Sequence, residues 1–224
     1  MNAAELTGRT RTHVVAVPEL ACTLHCQAVT PFLNLRRAAL TAGFDLQPVS
    51  GFRDFDRQLS IWNGKFRGER PLYDAAGLPL EAAQLSQPAR IDAILQWSAL
   101  PGASRHHWGT DVDLIDARAV APDYRVQLNA REFAPHGPFA PLAEWLDLHA
   151  AHFGFFRPFR GSMSGVQAEP WHYSWAPLAV SARRTLRPSV LREALLDAPL
   201  EGKDQVLERL DELHARYVCA IDWP

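Results

Sequence analysis

Residues 104–114 read Ser-Arg-His-His-Trp-Gly-Thr-Asp-Val-Asp-Leu, and residues 169–175 read Glu-Pro-Trp-His-Tyr-Ser-Trp. Imidazoles and carboxylates at this density are the donor set of a zinc site, in which ligand atoms lie ~2.0–2.2 Å from the ion. His106 and Asp113 cannot share an ion on a regular element. Seven residues apart, they would be separated by ~10 Å along a helix or ~23 Å along a strand. The chain must double back between them, and Gly109 is the residue that tolerates the positive φ of such a turn. Asp113 then projects from the first part of a strand, on the opposite side of the pleat from Val112 and Leu114.

Two ligands leave a catalytic zinc short of the usual three side chains. His172 is the natural third. Pro170 turns Glu169 away from helical angles, so the Glu-Pro-Trp-His piece can bring both residues to one site. There a carboxylate that does not bind the ion would serve as a proton acceptor. Competing readings are blander. His107 suits a turn cap or packing on Trp108. His149 and His152 have helical i, i+3 spacing with no carboxylate partner nearby, which suits a solvated helix face. Cys22 and Cys26 flank His25 and read as a buried pair on a helix face, a metal knuckle being the alternative. The sequence has no HExxH, no GxSxG elbow and no phosphate-cradling glycine loop.

These residues must be positioned by elements that the rest of the chain implies. The sequence has 224 residues, 47% of them apolar and 21% charged, which suits one globular domain over 1–224 with a core at about 19–180 and C-terminal helices at about 188–218. A formal net charge of -2 argues against nucleic acid or an anionic membrane as partner. No 18-residue apolar run occurs, and the first residues carry no leader, so the cytoplasm is the expected compartment, with the periplasm or envelope as the alternative had a leader been removed. Three cysteines cannot all pair, which agrees with a reducing compartment.

Residues 1–18 look irregular. A helical pattern runs from Glu19 to Gly43, kinked or split near Thr30 by Pro31. Residues 45–53 read as a strand, 54–68 as an amphipathic helix, and 69–86 as a loop with room for a small hairpin. Ser86 starts a helix that reaches about Trp97. Residues 111–116 alternate like a strand with one buried face, and a further helix ends at Gly154. Residues 169–175 are strand-like, and two helices close the chain. Helices mixed with short strands, without strict βαβ alternation, point to an α+β fold with a small, mostly antiparallel sheet and flanking helices.

The motifs also resemble a known family. Ser104, His106, Gly109 and Asp113 satisfy S-x-H-x-x-G-x-x-x-D, preceded by Pro-Gly at 101–102, and residues 169–172 give Glu-Pro-Trp-His. With Ser-Gly-Phe-Arg at 50–53, Gln58 and the helix-like 145–155, they resemble the VanY-type zinc D-alanyl-D-alanine carboxypeptidases over roughly 45–175. That resemblance implies a Hedgehog/DD-peptidase-like fold, Zn²⁺ on His106, Asp113 and His172, and Glu169 as general base. It implies Arg53 at the substrate, on either the terminal carboxylate or the oxyanion, and Gln58, Ser104 and Trp171 as further substrate contacts. Asp111, two residues before Asp113 and on the same side of the strand, could support a ligating histidine or lie exposed.

The implied activity is removal of a C-terminal D-alanine from peptidoglycan stem peptides or muropeptides. The L,D bond is favoured slightly over the D,D bond, because an enzyme without a leader would meet recycled peptides. Two alternatives stand beside it: an endopeptidase that cuts cross-links, and a non-catalytic zinc-containing domain that binds cell-wall peptide.

Overall fold

A computed structural model describes residues 1–161 and 165–224. Among them, four strands form the central sheet in the order β3 (Leu46–Ser50), β6 (Asp111–Asp116), β8 (His172–Trp175) and β7 (Phe155–Phe156). All three pairings are antiparallel. The sheet is small and flanked by helices, as an α+β fold requires.

The pleat divides these strands chemically. Val112, Leu114 and Tyr173 turn to one face and pack with Phe32, Leu35 and Ala39 of α2 (Val29–Thr41) and with Leu142 and Leu146 of α5 (Ala140–His149). Asp111, Asp113, His172 and Ser174 turn to the other face. The register places Asp113 opposite His172 and Asp111 opposite Ser174, so four polar side chains share one face. All six residues of β6 are buried, whereas the sequence pattern suggested burial on one side only. The polar face is covered because the second apolar cluster closes over it. That cluster is built from α3 (Phe55–Phe66), α4 (Gln87–Leu95), α6 (Ala176–Thr185), α7 (Pro188–Leu196), α8 (Lys203–Glu208) and α9 (Leu210–His214).

Several elements follow local rules. Asp54 caps α3 by accepting from the Arg57 N–H, and Ser86 caps α4 through Ala89, each cap being worth ~0.5–2 kcal/mol. Gly154, at φ +81°, ends the turn after α5. The loop at 69–86 holds a two-strand pair, β4 (Leu72–Tyr73) with β5 (Pro79–Leu80).

The amino-terminal region departs from expectation. Residues 1–18 are ordered as α1 (Ala3–Leu6) and β1 (Val14–Val17), and β1 pairs with β2 (Cys22–His25) where a helix was expected. Three valines in β1 favour a strand. Pro31 falls in the first turn of α2, where its missing N–H costs nothing, instead of kinking a longer helix. Cys22 is therefore half-buried at the end of a strand and Cys26 exposed after it, so they are not a helix-face pair. α6 was not anticipated, and the last long helical pattern breaks at Arg209 and ends in a π turn, Ala215–Cys219. Among the described residues no helix is long and apolar enough to cross a membrane.

The first twenty-five residues hold the loop that carries His106. The Trp108 Nε1–H donates to Leu6 O (3.1 Å), the His107 carbonyl accepts from His13 Nε2 (2.8 Å), and the His25 N–H donates to Gly109 O (2.8 Å). Gly109 sits at φ +66°, and a Cβ there would lie 2.6 Å from both His25 N and Val14 Cγ1. Gly109→Ala should therefore lose more than ~1 kcal/mol of stability, from left-handed strain plus the clash. A urea titration reads this as a lowered midpoint, and an unchanged midpoint would refute the role given to the turn.

Candidate metal centre

His106 comes from the short helical turn Arg105–Trp108, Asp113 from β6 and His172 from the start of β8. All three are buried, and one ligand atom from each lies within 4.8 Å of the others. His106 Nε2 is 3.4 Å from Asp113 Oδ2, and His172 Nδ1 is 3.3 Å from Asp113 Oδ1. Bonds of ~2.0–2.1 Å at tetrahedral angles give ligand–ligand edges of ~3.3 Å. Among the described residues Asp113 Oδ1 is buried with no hydrogen-bond partner. These are the spacings of groups that face a common centre.

The outward nitrogens of both imidazoles are engaged, which fixes the inward ones. His106 Nδ1 lies 2.8 Å from Gly51 O and must donate its proton there, leaving a lone pair on Nε2. His172 Nε2 lies 2.9 Å from Asp111 Oδ1, leaving Nδ1 for the centre. Asp111 is fully buried and not exposed on the strand. It accepts from Arg105 Nε at 2.7 Å, from Thr110 Oγ1 at 2.7 Å and from Ser174 Oγ at 3.0 Å. Burial would raise its pKa, but Arg105 and the His172 contact outweigh burial and bring it to about 2.

The charges match a divalent cation. Arg105 neutralises Asp111. Among the described residues no lysine or arginine reaches salt-bridge distance of Asp113 or Glu169, which pair only with the two imidazoles, while Arg53 and Lys65 act on them from farther off. Burial opposes a charged His172, yet Asp111, Asp113 and Glu169 together raise its pKa well above the ordinary value. For Asp113, burial raises the pKa and the two histidines lower it by more. Two carboxylates and two imidazoles converging in this way fit a bound zinc with one position left open.

Glu169 Oε2 stands 3.2 Å from His172 Nδ1, and the His172 N–H donates to the Glu169 carbonyl, so the bend at Pro170 holds the pair together. Arg53 is half-buried. Its backbone N–H donates to His106 O at 3.1 Å, while its guanidinium donates to Gln58 Oε1 at 2.8 Å and Ser50 Oγ at 3.2 Å. A cavity of about 220 Å³ brings together Arg53, Ser104, His106, Asp113, Glu169, Trp171 and His172.

Gln58 and Asp111 do not line that cavity. Gln58 spends both ends of its amide, accepting from Arg53 and donating to Ala99 O at 2.7 Å, so it acts on the guanidinium. His107 is buried. Gly102 N–H donates to its Nε2 (3.1 Å), so its Nδ1–H donates to Arg53 O (2.6 Å); burial pushes its pKa down to about 3 against that hydrogen bond. It is a structural post joining the Arg53 and His106 loops. His149 packs on Trp145 and on His152, and the Cys22-His25-Cys26 stretch supplies no metal group among the described residues. Arg105 escaped the sequence reading; its buried guanidinium lies over the Trp108 ring at 4.8 Å and also donates to Ser174 Oγ.

Comparison with known proteins follows the same residues. The family model described as "VanY: D-alanyl-D-alanine carboxypeptidase" matches residues 21–178. The chain is similar to a D-alanyl-D-alanine carboxypeptidase of Enterococcus faecalis, 28% identical over 159 residues, spanning 69% of this chain and 49% of that protein. In fold it is similar to VanYB in complex with D-alanine-D-alanine, with a TM-score of 0.53 and 22% identity over 83% of this chain and 89% of that one. It is equally similar to a vancomycin-resistance D,D-pentapeptidase VanY variant in complex with Zn(II), with a TM-score of 0.53 and 22% identity over 79% and 86% of the two chains.

Removing the partner of a ligating histidine commonly costs 10–100-fold in metal affinity. Asp111→Asn should therefore weaken zinc binding by that factor and, by leaving Arg105 buried without its counter-charge, lower the unfolding midpoint. Competition against a chromophoric chelator measures the first effect, and wild-type affinity would show that Asp111 does not support His172.

Proposed function

This chain belongs to the VanY D-alanyl-D-alanine carboxypeptidase family, and on that premise we propose that it is a zinc-dependent carboxypeptidase that removes D-alanine from the C-terminus of peptidoglycan stem peptides. The observation that carries the reading is the spacing of Asp113 from His106 and from His172 at a tetrahedral edge, all three within 4.8 Å of one another, with Glu169 beside them and Arg53 in the same cavity. His106 Nε2, Asp113 Oδ and His172 Nδ1 would hold the ion. When bound, zinc supplies Lewis acidity, which lowers the pKa of a coordinated water from 15.7 to ~7.

The chain's own groups do the rest. Glu169 takes a proton from the attacking water and returns it to the leaving amine, as one carboxylate can do when both atoms lie within reach. Gln58 and Ser50 hold the Arg53 guanidinium in place, where it holds the free carboxylate of the substrate through a two-pronged contact. Ser104 and Trp171 line the pocket beside it. A cation that recognises a chain end favours an exopeptidase over a cutter of cross-links. A carboxylate poised beside an ion-sized gap favours catalysis over peptide binding alone.

The L,D bond of a tetrapeptide and the D,D bond of a pentapeptide present the same D-alanine and differ in the residue before it. The proposal puts the L,D bond first. It also keeps the cytoplasm as the compartment, a reading that the three free cysteines support.

Glu169→Ala should retain zinc and lose turnover by two or more orders of magnitude, since positioned proton transfer is worth ~10²–10⁴-fold. His106→Ala should lose the metal itself. Metal analysis together with product masses from tri-, tetra- and pentapeptide stems, with and without chelator, tests both. Near-normal rates for the first variant or full zinc occupancy in the second would overturn the assignment.

A further inference from the structure

The cavity that holds the candidate centre extends well beyond it, and its far end is walled by a part of the chain outside the family-matched segment. Leu191 of α7, Leu210 and Leu213 of α9, and Tyr217 of the π turn line it, facing Leu95 and Leu100. All six are buried, with exposures of 0–8%. Other residues that line the same cavity, such as Trp97, Leu128 and Glu169, are only partly buried. The partly buried residues mark the cavity's open part, and the buried leucines under the C-terminal helices form an apolar inner end.

A peptide held by its terminal carboxylate continues in one direction only. The continuing chain needs the open part, so the inner end takes the leaving residue. Its size is limiting: an apolar cavity of ~150 Å³ accommodates benzene, and about 220 Å³ must here take both the leaving residue and the peptide unit before it. Two polar side chains of the C-terminal segment join this lining: His214, whose Nε2 is 2.7 Å from Leu186 O, and Tyr217. Among the described residues the Tyr217 hydroxyl is buried with no hydrogen-bond partner, which is costly unless a ligand supplies one.

We propose that α7, α9 and the π turn form the end wall of the substrate pocket, that Leu210 and Leu213 restrict the leaving residue to a small one, and that the Tyr217 hydroxyl donates to a polar atom of that residue. The proposal rests on the exopeptidase reading above and adds the source of its size selectivity. It concerns residues that touch only the departing end of the substrate, so it can be read by binding as well as by turnover.

The test uses the full-length zinc-loaded protein carrying Glu169→Ala, titrated calorimetrically with tetrapeptide stems that end in D-alanine or D-leucine. The D-alanine end should bind at least ten-fold more tightly. Adding Leu213→Ala should shrink that ratio ten-fold or more, and the milder Leu210→Val should move it the same way if the first variant fails to fold. Tyr217→Phe should weaken both peptides about ten-fold while leaving their ratio alone, as the loss of one hydrogen bond predicts. A ratio unchanged within two-fold in both leucine variants would overturn the wall, and unchanged affinity in Tyr217→Phe would overturn the hydroxyl's role. If the Glu169-intact protein hydrolyses neither stem while the binding ratio shifts as expected, the catalytic reading falls and the wall stands. If neither peptide binds, both fall.

Discussion

Asp113 and His172 face each other across two antiparallel strands, and most of the site depends on that opposition. A ladder has a side-chain period of two, so sliding β8 by one residue would send His172 to the apolar face and bring Tyr173 to the polar one. The alternation is enforced from both sides. Val112, Leu114 and Tyr173 are buried against α2 and α5, where polar groups would find no partners. The two halves of the centre therefore meet because the cores require that register, with the ligand residues taking the face that is left.

Placing four polar side chains on a covered face raises an electrostatic problem, which Arg105 resolves in part. Its guanidinium engages Asp111 and Ser174, and Asp111 in turn orients His172, so one positive charge stabilises the acid that fixes this imidazole. Asp113 and Glu169 receive no such partner among the described basic side chains of lysine or arginine. The two carboxylates thus differ in surroundings from Asp111, although all three lie close to one imidazole. Burial makes that difference large, since an uncompensated charge in such a place is strongly unfavourable.

The site was more legible in the sequence than the scaffold that holds it. Histidine, aspartate and glutamate carry their chemistry in their identity, and Gly109 and Pro170 mark the bends that bring them together. The amino-terminal hairpin was misread because the residues from Glu19 onward also satisfy a helical period, and only pairing with Val14–Val17 decides between the two. Gln58 looked like a substrate contact because it travels with Arg53 in the motif; its amide is fully engaged with the protein. Arg105 was passed over as a variable position, and its importance appears only when Asp111 and Ser174, distant in sequence, arrive beside it. The tertiary contacts of Tyr217 and the C-terminal leucines leave no local pattern, since an apolar stripe looks the same whether it faces a core or a pocket.

α3 connects the two ends of this arrangement. Arg53 lies just before its capped start, and near its other end the Trp62 Nε1–H donates to Glu201 O while Asn63 donates to Pro199 O and accepts from the Glu201 N–H. From Phe55 to Asn63 the helix rises ~12 Å, and a helix is far stiffer than a loop. The Arg53 turn and the 199–201 loop that joins α7 to α8 are thus held apart by one rigid spacer, so thermal motion in the surrounding loops leaves that separation unchanged.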